Sequence, residues 1–280
     1  MMRLGGSVID PYTNVRQFIS IAKDSGYSTV AFPFNKLSSD DEINEYINEL
    51  AKADITIAEV GAWRNNPLDR SIEKRKEAIA NIQERLALAE QVGAACCVNV
   101  AGSFSEKWDA PHMDSLSDDV FALIVDSVRE IIDAVKPKRT FYTLETMPWM
   151  VPFDPDNNLR LIKAVDRKSF GVHLDIINMI NSPILLYKND LFTRECFEKL
   201  GPYIKCIHIK DITIEQRLTV HLNECLVGEG FYNLKTFFAC ASKLPGNISV
   251  LVEHIKIQDD YKKSITYLRN FAKTLAIEVK

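Results

Sequence analysis

The chain has 280 residues, 46% of them hydrophobic and 26% charged, which is the composition of an ordinary globular protein. Its formal net charge is -4 and its pI is about 5.8, so it lacks the strong basic field that attracts nucleic acid or anionic lipid. No window approaches the roughly 20 apolar residues of a transmembrane helix, and the N-terminus has no apolar signal segment. We therefore expect a single cytoplasmic domain spanning residues 1–280.

The cysteines indicate a protein without disulfides. None of the six belongs to a Cys-x-x-Cys pair, and Cys96, Cys97 and Cys206 lie within apolar runs. A free cysteine in such a run behaves as a small hydrophobic residue. This usage favours a reducing compartment.

Short apolar runs recur along the chain. They are β-branched or continuously apolar, as expected of strands that are buried on both faces of a parallel sheet. In chain order, the eight predicted strands cover residues 3–8, 28–34, 55–63, 95–102, 141–147, 170–176, 205–212 and 249–255.

Amphipathic stretches between these runs predict helices. In chain order, they cover residues 14–26, 40–53, 71–93, 115–135, 154–166, 195–203, 233–244 and 260–276. Ser115 and Asp118 form a Ser-x-x-Asp capping pattern at the start of the fourth helix.

Eight strands that alternate with eight helices, at a spacing of about 35 residues, predict an α/β protein with a single (β/α)8 TIM barrel. A doubly wound open sheet is the alternative, and it usually carries a Gly-rich phosphate turn after its first strand. The segment RLGGSVIDP at residues 3–11 lacks that Gly-x-Gly-x-x-Gly pattern, so no dinucleotide site is expected.

Polar side chains stand at the C-terminal ends of the later strands, where the active site of a TIM barrel lies. They are Glu145, Asp175, His208 and Glu253, from four successive predicted strands. In a closed barrel these side chains converge, and buried carboxylates need a partner such as a cation. Three carboxylates and one imidazole suit Mn²⁺ or Mg²⁺ and tolerate Co²⁺ or Zn²⁺. The sequence therefore predicts one divalent metal ion, with structural ion pairs as the alternative.

Five motifs resemble, in order, those of the sugar phosphate isomerases and epimerases of the xylose isomerase-like TIM-barrel superfamily. They are LETMPW (144–149), GVHLDIIN (171–178), CIHIKD (206–211), the Gly-x-Gly turn in VGEGFYNL (227–234) and LVEH (251–254). The resemblance covers essentially the whole chain. It implies that Glu145, Asp175, His208 and Glu253 bind one divalent metal ion, and that Glu145 and Glu253 exchange protons with the substrate.

The implied activity is isomerisation or epimerisation of a small sugar, sugar phosphate or polyol derivative. One of Glu145 and Glu253 takes a proton next to a carbonyl, the metal stabilises the resulting enediolate, and the other glutamate returns a proton. Dehydration shares the first step, so a dehydratase remains an alternative. Many family members carry a histidine three residues after the aspartate of the sixth strand, whereas this chain has Asn178 there.

Further polar and aromatic residues near the strand ends are expected to contact the substrate. These are His173, Asn178, Lys210, Trp149, Trp63, His221 and Glu224. His173 shares a strand face with Asp175, since the two are two residues apart. Packing is the alternative role for His173 and the tryptophans, and pairing with Asp211 is the alternative for Lys210.

Two other functions remain open on the same fold. One is a non-catalytic carbohydrate-binding barrel. The other is a DNA-repair enzyme of the endonuclease IV type, which needs three zinc ions and many histidines; only five histidines occur here, and the pI is acidic. The expected partner is a small sugar or sugar phosphate, without nucleic acid or membrane. A homo-oligomer is common in the family, but the sequence carries no interface signal.

Overall fold

The computed structural model describes residues 1–33 and 39–280. The strands are β1 (Met2–Gly6), β2 (Thr29–Ala31), β3 (Thr56–Gly61), β4 (Cys96–Asn99), β5 (Phe141–Glu145), β6 (Phe170–Asp175), β7 (Ile204–Ile209), β8 (Asp211–Ile214), β9 (Leu222–Cys225) and β10 (Ile248–Val252). The helices are α1 (Val15–Asp24), α2 (Asp40–Lys52), α3 (Ile72–Val92), α4 (Asp118–Val135), α5 (Pro155–Val165), α6 (Ile176–Met179), α7 (Pro183–Tyr187), α8 (Asn189–Leu200), α9 (Leu234–Ala241) and α10 (Gln258–Thr274).

Within these residues, eight parallel strands close into a barrel in the order β1-β10-β7-β6-β5-β4-β3-β2. The ring closes where β1 pairs with both β10 and β2, through Leu4 opposite Val250 and Gly5 opposite Thr29. The predicted (β/α)8 TIM barrel is confirmed. The strands therefore deliver their C-terminal ends to one face of the molecule, which is where the polar side chains of the later strands meet.

The hydrophobic core has two parts. The larger part lies between the barrel and the surrounding helices, and includes Leu4, Phe18 and Tyr142. A small cluster of Ala58, Cys96, Cys206 and Leu251 forms separately. Both cysteines are fully buried free thiols, as their apolar sequence surroundings predicted.

The helices follow the predicted pattern with three differences. The fourth begins at Asp118 and is capped by Ser117, whose hydroxyl accepts a hydrogen bond from the backbone N–H of Val120, so the prediction of a cap at Ser115 is wrong. Helix α8 begins at Asn189, six residues before its predicted start. The short helices α6 and α7 were not predicted, because one turn is too short to show a helical period.

All eight barrel strands end before their predicted last residue, and the second and the seventh are two examples. The second ends at Ala31, and its predicted last residue, Phe34, lies outside the described residues. The seventh ends at Ile209, and Asp211 begins the separate antiparallel hairpin of β8 and β9. The side chain of Asp211 accepts hydrogen bonds from the backbone N–H groups of Ile212, Gly228 and Tyr232. The last two belong to the region of the Gly-x-Gly turn. These bonds redirect the chain out of the barrel.

Gly5 allows β1 and β2 to approach closely, and this contact is testable. A Cβ atom at Gly5 would lie 1.7 Å from the backbone oxygen of Thr29, so the Gly5→Ala variant must separate the two strands. We expect chemical denaturation to show a loss of about 3 kcal/mol in the free energy of unfolding. The matched control is Gly201→Ala, whose Cβ would meet Leu244 at 3.6 Å, an ordinary contact. Equal stability of both variants would contradict this strand packing.

Among residues 1–33 and 39–280, no helix combines the length and the apolar character that a membrane span requires.

Candidate metal centre and cavity

Four potential metal ligands meet at the C-terminal face of the barrel. Glu145 and Asp175 are the last residues of β5 and β6, His208 lies near the end of β7, and Glu253 directly follows β10. One ligand atom from each lies within 4.8 Å of those of the other three. The first three side chains are buried, and Glu253 is partly exposed. The structure thus brings together the four residues that the strand ends predicted.

His208 is at the centre of this group. Its Nδ1 lies 2.7 Å from Oε1 of Glu145 and 2.8 Å from Oε2 of Glu253. Burial would lower the pKa of His208, but the surrounding carboxylates, Glu253 and Glu59 first, raise it well above its usual range. In the absence of a bound cation, a protonated His208 therefore offsets part of the negative charge.

The two carboxylate oxygens of Asp175 have different surroundings. Its Oδ1 accepts a hydrogen bond of 2.9 Å from the N–H of Asn178 and thereby caps α6. Its Oδ2 is buried and accepts no hydrogen bond, although Nζ of Lys210 approaches it at 2.9 Å outside hydrogen-bonding geometry. Burial raises the pKa of Asp175 to about 8, and the charge of Lys210 opposes this rise.

Lys210 joins the metal-ligand group to the β8–β9 hairpin. Its side chain is only 2% exposed, and its Nζ contacts Glu253 and lies 2.9 Å from Oε1 of Glu224. Glu224 also pairs with His254, whose Nδ1 lies 2.9 Å away. Burial would raise the pKa of Glu253, but the charges of His208 and Lys210 lower it well below its usual range. Lys210 therefore pairs with three carboxylates and does not use Asp211, which bonds to backbone N–H groups instead.

Glu59 is a buried carboxylate to which the sequence assigned no role. Its Oε2 lies 2.7 Å from Nε2 of His173 and 3.2 Å from Nε2 of His208. Burial would raise the pKa of Glu59, but the charge of His208 and the bonds from both histidines lower it to about 2. His173 is fully buried and does not line the cavity. The only sequence signal was a polar residue near the end of the third strand.

Glu59 has the position of a residue that orients His208, and substitution tests this. The Glu59→Gln variant keeps the shape of the side chain but removes the charge that both imidazoles contact. We expect the affinity for a divalent cation to fall about 10–100-fold. Isothermal titration calorimetry with MnCl₂ measures the affinity, and circular dichroism checks the fold. Unchanged affinity would show that Glu59 does not support His208.

The metal-ligand group forms part of the wall of a cavity of about 790 Å³ at the mouth of the barrel. Four of the predicted substrate contacts also line it: Trp63, Trp149, Asn178 and Glu224. His221 does not, although its neighbours Val220 and Leu222 do. The lining also includes residues that were not anticipated, among them Trp108 and Tyr261, neither of which follows a strand end directly.

A comparison with known protein families shows to which family the chain belongs. The family described as xylose isomerase-like TIM barrel matches residues 19–271, which is most of the chain. The protein belongs to this family. No curated protein sequence matches it.

Solved structures show the same fold at low sequence identity. D-Psicose 3-epimerase from Clostridium cellulolyticum H10, in complex with D-tagatose, is 15% identical, with a TM-score of 0.72 and coverage of 99% of this chain and 100% of that one. The 3-keto-D-glucoside 4-epimerase from E. coli is 16% identical, with a TM-score of 0.68 and coverage of 96% and 100%. A xylose isomerase-like TIM barrel protein from Mycobacterium smegmatis, in complex with magnesium, is 17% identical, with a TM-score of 0.68 and coverage of 93% and 88%.

The residues present fit a divalent cation. Three carboxylates and an imidazole form a hard donor set of the kind that binds Mn²⁺ and Mg²⁺. Oδ2 of Asp175 is buried and lies 2.9 Å from Nζ of Lys210 but accepts no hydrogen bond, so it keeps a position at which a metal ion can bind. Nε2 of His208 contacts Glu59, the arrangement in which a carboxylate orients a metal-binding histidine.

Proposed function

We propose that the protein is a divalent-metal-dependent isomerase or epimerase that acts on a sugar or polyol derivative. The observation that carries this proposal is a division of roles among the four candidate ligands. Glu145, His208 and Glu253 line the cavity, whereas Asp175 is buried behind them. Two carboxylates are thus available both to a cation and to a substrate, and one is available to the cation alone.

The proposed cation site consists of Glu145, Asp175, His208 and Glu253. A cation bound there would act as a Lewis acid on the carbonyl oxygen of a substrate. The family and the magnesium complex of a structural neighbour support this assignment. Mn²⁺ and Mg²⁺ are the proposed ions, and Co²⁺ and Zn²⁺ fit the same donor set less well.

Glu145 and Glu253 are the proposed proton carriers. They approach Nδ1 of His208 at 2.7 and 2.8 Å and both face the cavity, so a substrate bound between them meets two carboxylates. One glutamate removes the proton from a carbon next to the carbonyl and leaves an enediolate. Return of a proton to the opposite face of the same carbon gives the epimer, and return to the neighbouring carbon gives the isomer.

The proposed substrate-binding residues are polar side chains in the cavity wall. Asn178 donates a hydrogen bond from its side chain to the backbone oxygen of Thr146, at 3.1 Å, so its amide is held at the rim of the site. Glu224 reaches the cavity from β9 and is held there by Lys210 and His254. A polar rim of this kind orients the hydroxyl groups of a sugar.

The direct test is exchange of substrate protons with solvent. The protein is loaded with Mn²⁺ and incubated in D₂O with a panel of aldoses, ketoses and inososes, and NMR follows deuterium incorporation next to the carbonyl. We expect incorporation that requires the metal and disappears when it is chelated. Deuterium uptake with loss of water would identify a dehydratase. Binding without any exchange across the panel would overturn the enzyme proposal and favour a carbohydrate-binding barrel.

A further inference from the structure

All three tryptophans of the protein line the same cavity. Trp63, Trp108 and Trp149 follow β3, β4 and β5, whereas the candidate metal ligands come from β5, β6, β7 and β10. In the barrel order, the strands that carry the ligands are the consecutive strands β10, β7, β6 and β5. The strands that precede the tryptophans are β5, β4 and β3, which continue the ring from β5. The cavity therefore has an acidic part and an aromatic part side by side.

The aromatic part is built rigidly. Trp149 donates a hydrogen bond from Nε1 to the backbone oxygen of Asp109, at 2.8 Å, and so ties the loop after β5 to the loop after β4. The rings of Trp63 and Trp108 lie 6.4 Å apart at 55° to each other. Trp63 folds back over Gly61, where a Cβ would lie 2.3 Å from its Nε1.

A second connection holds the loops that carry Trp63 and Trp108. The side chain of Asn66 donates to the backbone oxygen of Ser103 at 2.7 Å and accepts from its N–H at 3.0 Å. The hydroxyl of Ser103 in turn donates to the backbone oxygen of Ala110, at 2.6 Å. These bonds join the loop that follows Trp63 to the loop that carries Trp108, and they limit the movement of one indole relative to the other.

The charges of the cavity argue against a phosphate group at this wall. Within residues 1–33 and 39–280, no lysine or arginine lines the cavity, whereas Asp109 and four glutamates do. The two histidines that line it, His208 and His254, are each already paired with glutamates. Lys210 is buried and paired with three carboxylates. Phosphate recognition uses arginine, lysine or helix N-termini, so an anionic substituent would face repulsion here.

We propose that the three tryptophans form a second binding subsite, which holds the ring attached through a glycosidic bond to the sugar that reacts at the acidic part. The ligand class is a neutral glycoside of two rings whose reacting sugar carries a carbonyl, either the reducing ring of a disaccharide or the keto-sugar ring of an aryl glycoside. The volume of 790 Å³ lies in the upper part of the range of about 300–1,000 Å³ that accommodates drug-sized molecules, and a single sugar ring would leave the indoles to water. The apolar face of a ring stacks on indole, which is the favoured anchor at binding sites.

This inference rests on the proposed function only in placing the reacting sugar beside Glu145 and Glu253. Its test is therefore binding without turnover. Calorimetry on the full chain loaded with Mn²⁺ compares glucose and galactose with maltose, cellobiose, lactose and the 4-nitrophenyl glucosides, and includes glucose 6-phosphate. We expect at least one two-ring compound to bind about tenfold more tightly than its single-ring counterpart. Tighter binding of disaccharides assigns a second sugar, and tighter binding of nitrophenyl glucosides assigns an aryl group.

Variants test whether the tryptophans cause the tighter binding of two-ring compounds. Trp108→Ala is expected to reduce the two-ring affinity to that of the single ring, while Trp108→Phe retains most of it. Tyr187→Ala, which removes an exposed aromatic ring on α7, is the control and should bind as wild type does. Equal binding of one-ring and two-ring compounds, preference for the phosphate, or no two-ring binding at millimolar concentration would each overturn the subsite. If the subsite fails but single sugars still exchange protons with solvent, the proposed function stands. If two-ring compounds bind but no sugar exchanges protons, the subsite stands and the proposed function fails.

Discussion

The Glu145→Gln variant is expected to exchange substrate protons about 10²–10⁴-fold more slowly than wild type, even at saturating metal. Glutamine retains an oxygen that can face the cation but cannot accept a proton at neutral pH. Glu253→Gln is expected to behave in the same manner, because both carboxylates line the cavity and contact the same nitrogen of His208. NMR in D₂O, repeated over a range of Mn²⁺ concentrations, measures the effect.

Asp175→Asn is the matched control for this prediction. Asp175 is buried and does not line the cavity, and its Oδ1 can cap α6 equally well as an amide oxygen. We expect Asp175→Asn to weaken cation binding but to recover most of its exchange rate at high Mn²⁺. Recovery of Glu145→Gln at high Mn²⁺ would contradict a role in proton transfer and reduce Glu145 to a ligand.

The Lys210→Met variant is expected to lose about 3–5 kcal/mol of unfolding free energy in the absence of metal. Lys210 is almost completely buried, and its removal leaves the carboxylate of Asp175 without its cation and leaves Glu253 with His208 alone among the buried cations that pair with it. A divalent ion at the same carboxylates would compensate for this loss. Addition of Mn²⁺ should therefore raise the Tm of Lys210→Met more than that of wild type. Thermal unfolding with MnCl₂ and with EDTA measures both effects.

An exposed lysine provides the control for Lys210. Lys52 pairs with Glu49 at the surface, and its side chain is 72% exposed. Lys52→Met removes the same charge and should change the free energy of unfolding by less than about 1 kcal/mol, with no dependence on metal. A metal response of Lys210→Met no larger than that of wild type would argue that the cation does not share the carboxylates of Lys210.

The strand-end residues could be predicted because parallel topology places them. Glu145, Asp175, His208 and Glu253 each end an apolar run, and a closed barrel brings successive strand ends together whatever the loops do. This reasoning required only the period of the apolar runs and their order. The polar strand ends of the later half of the barrel could therefore be predicted from the sequence.

Side-chain contacts between strands and loops that are not adjacent in the barrel could not be predicted from the sequence. Glu59 lies on β3 and meets His173 and His208 across the barrel, a contact that depends on how the ring closes. Lys210 pairs with Glu224 only because the chain after β7 forms a hairpin instead of a loop. Trp108 lies in an irregular connection, where no period or strand end indicates the direction of a side chain.

The stoichiometry of divalent metal tests the account most directly. The chain is purified without an affinity tag, dialysed against Mn²⁺ and then against buffer, and analysed by inductively coupled plasma mass spectrometry beside Glu145→Gln and Asp175→Asn. We predict about one ion per chain in wild type, because one group of four donors among residues 1–33 and 39–280 has its ligand atoms within 4.8 Å of one another. We also predict a clear loss of metal in both variants. No retained metal in wild type, together with no heat of Mn²⁺ binding by calorimetry, would contradict the metal centre and the proton-transfer function built on it.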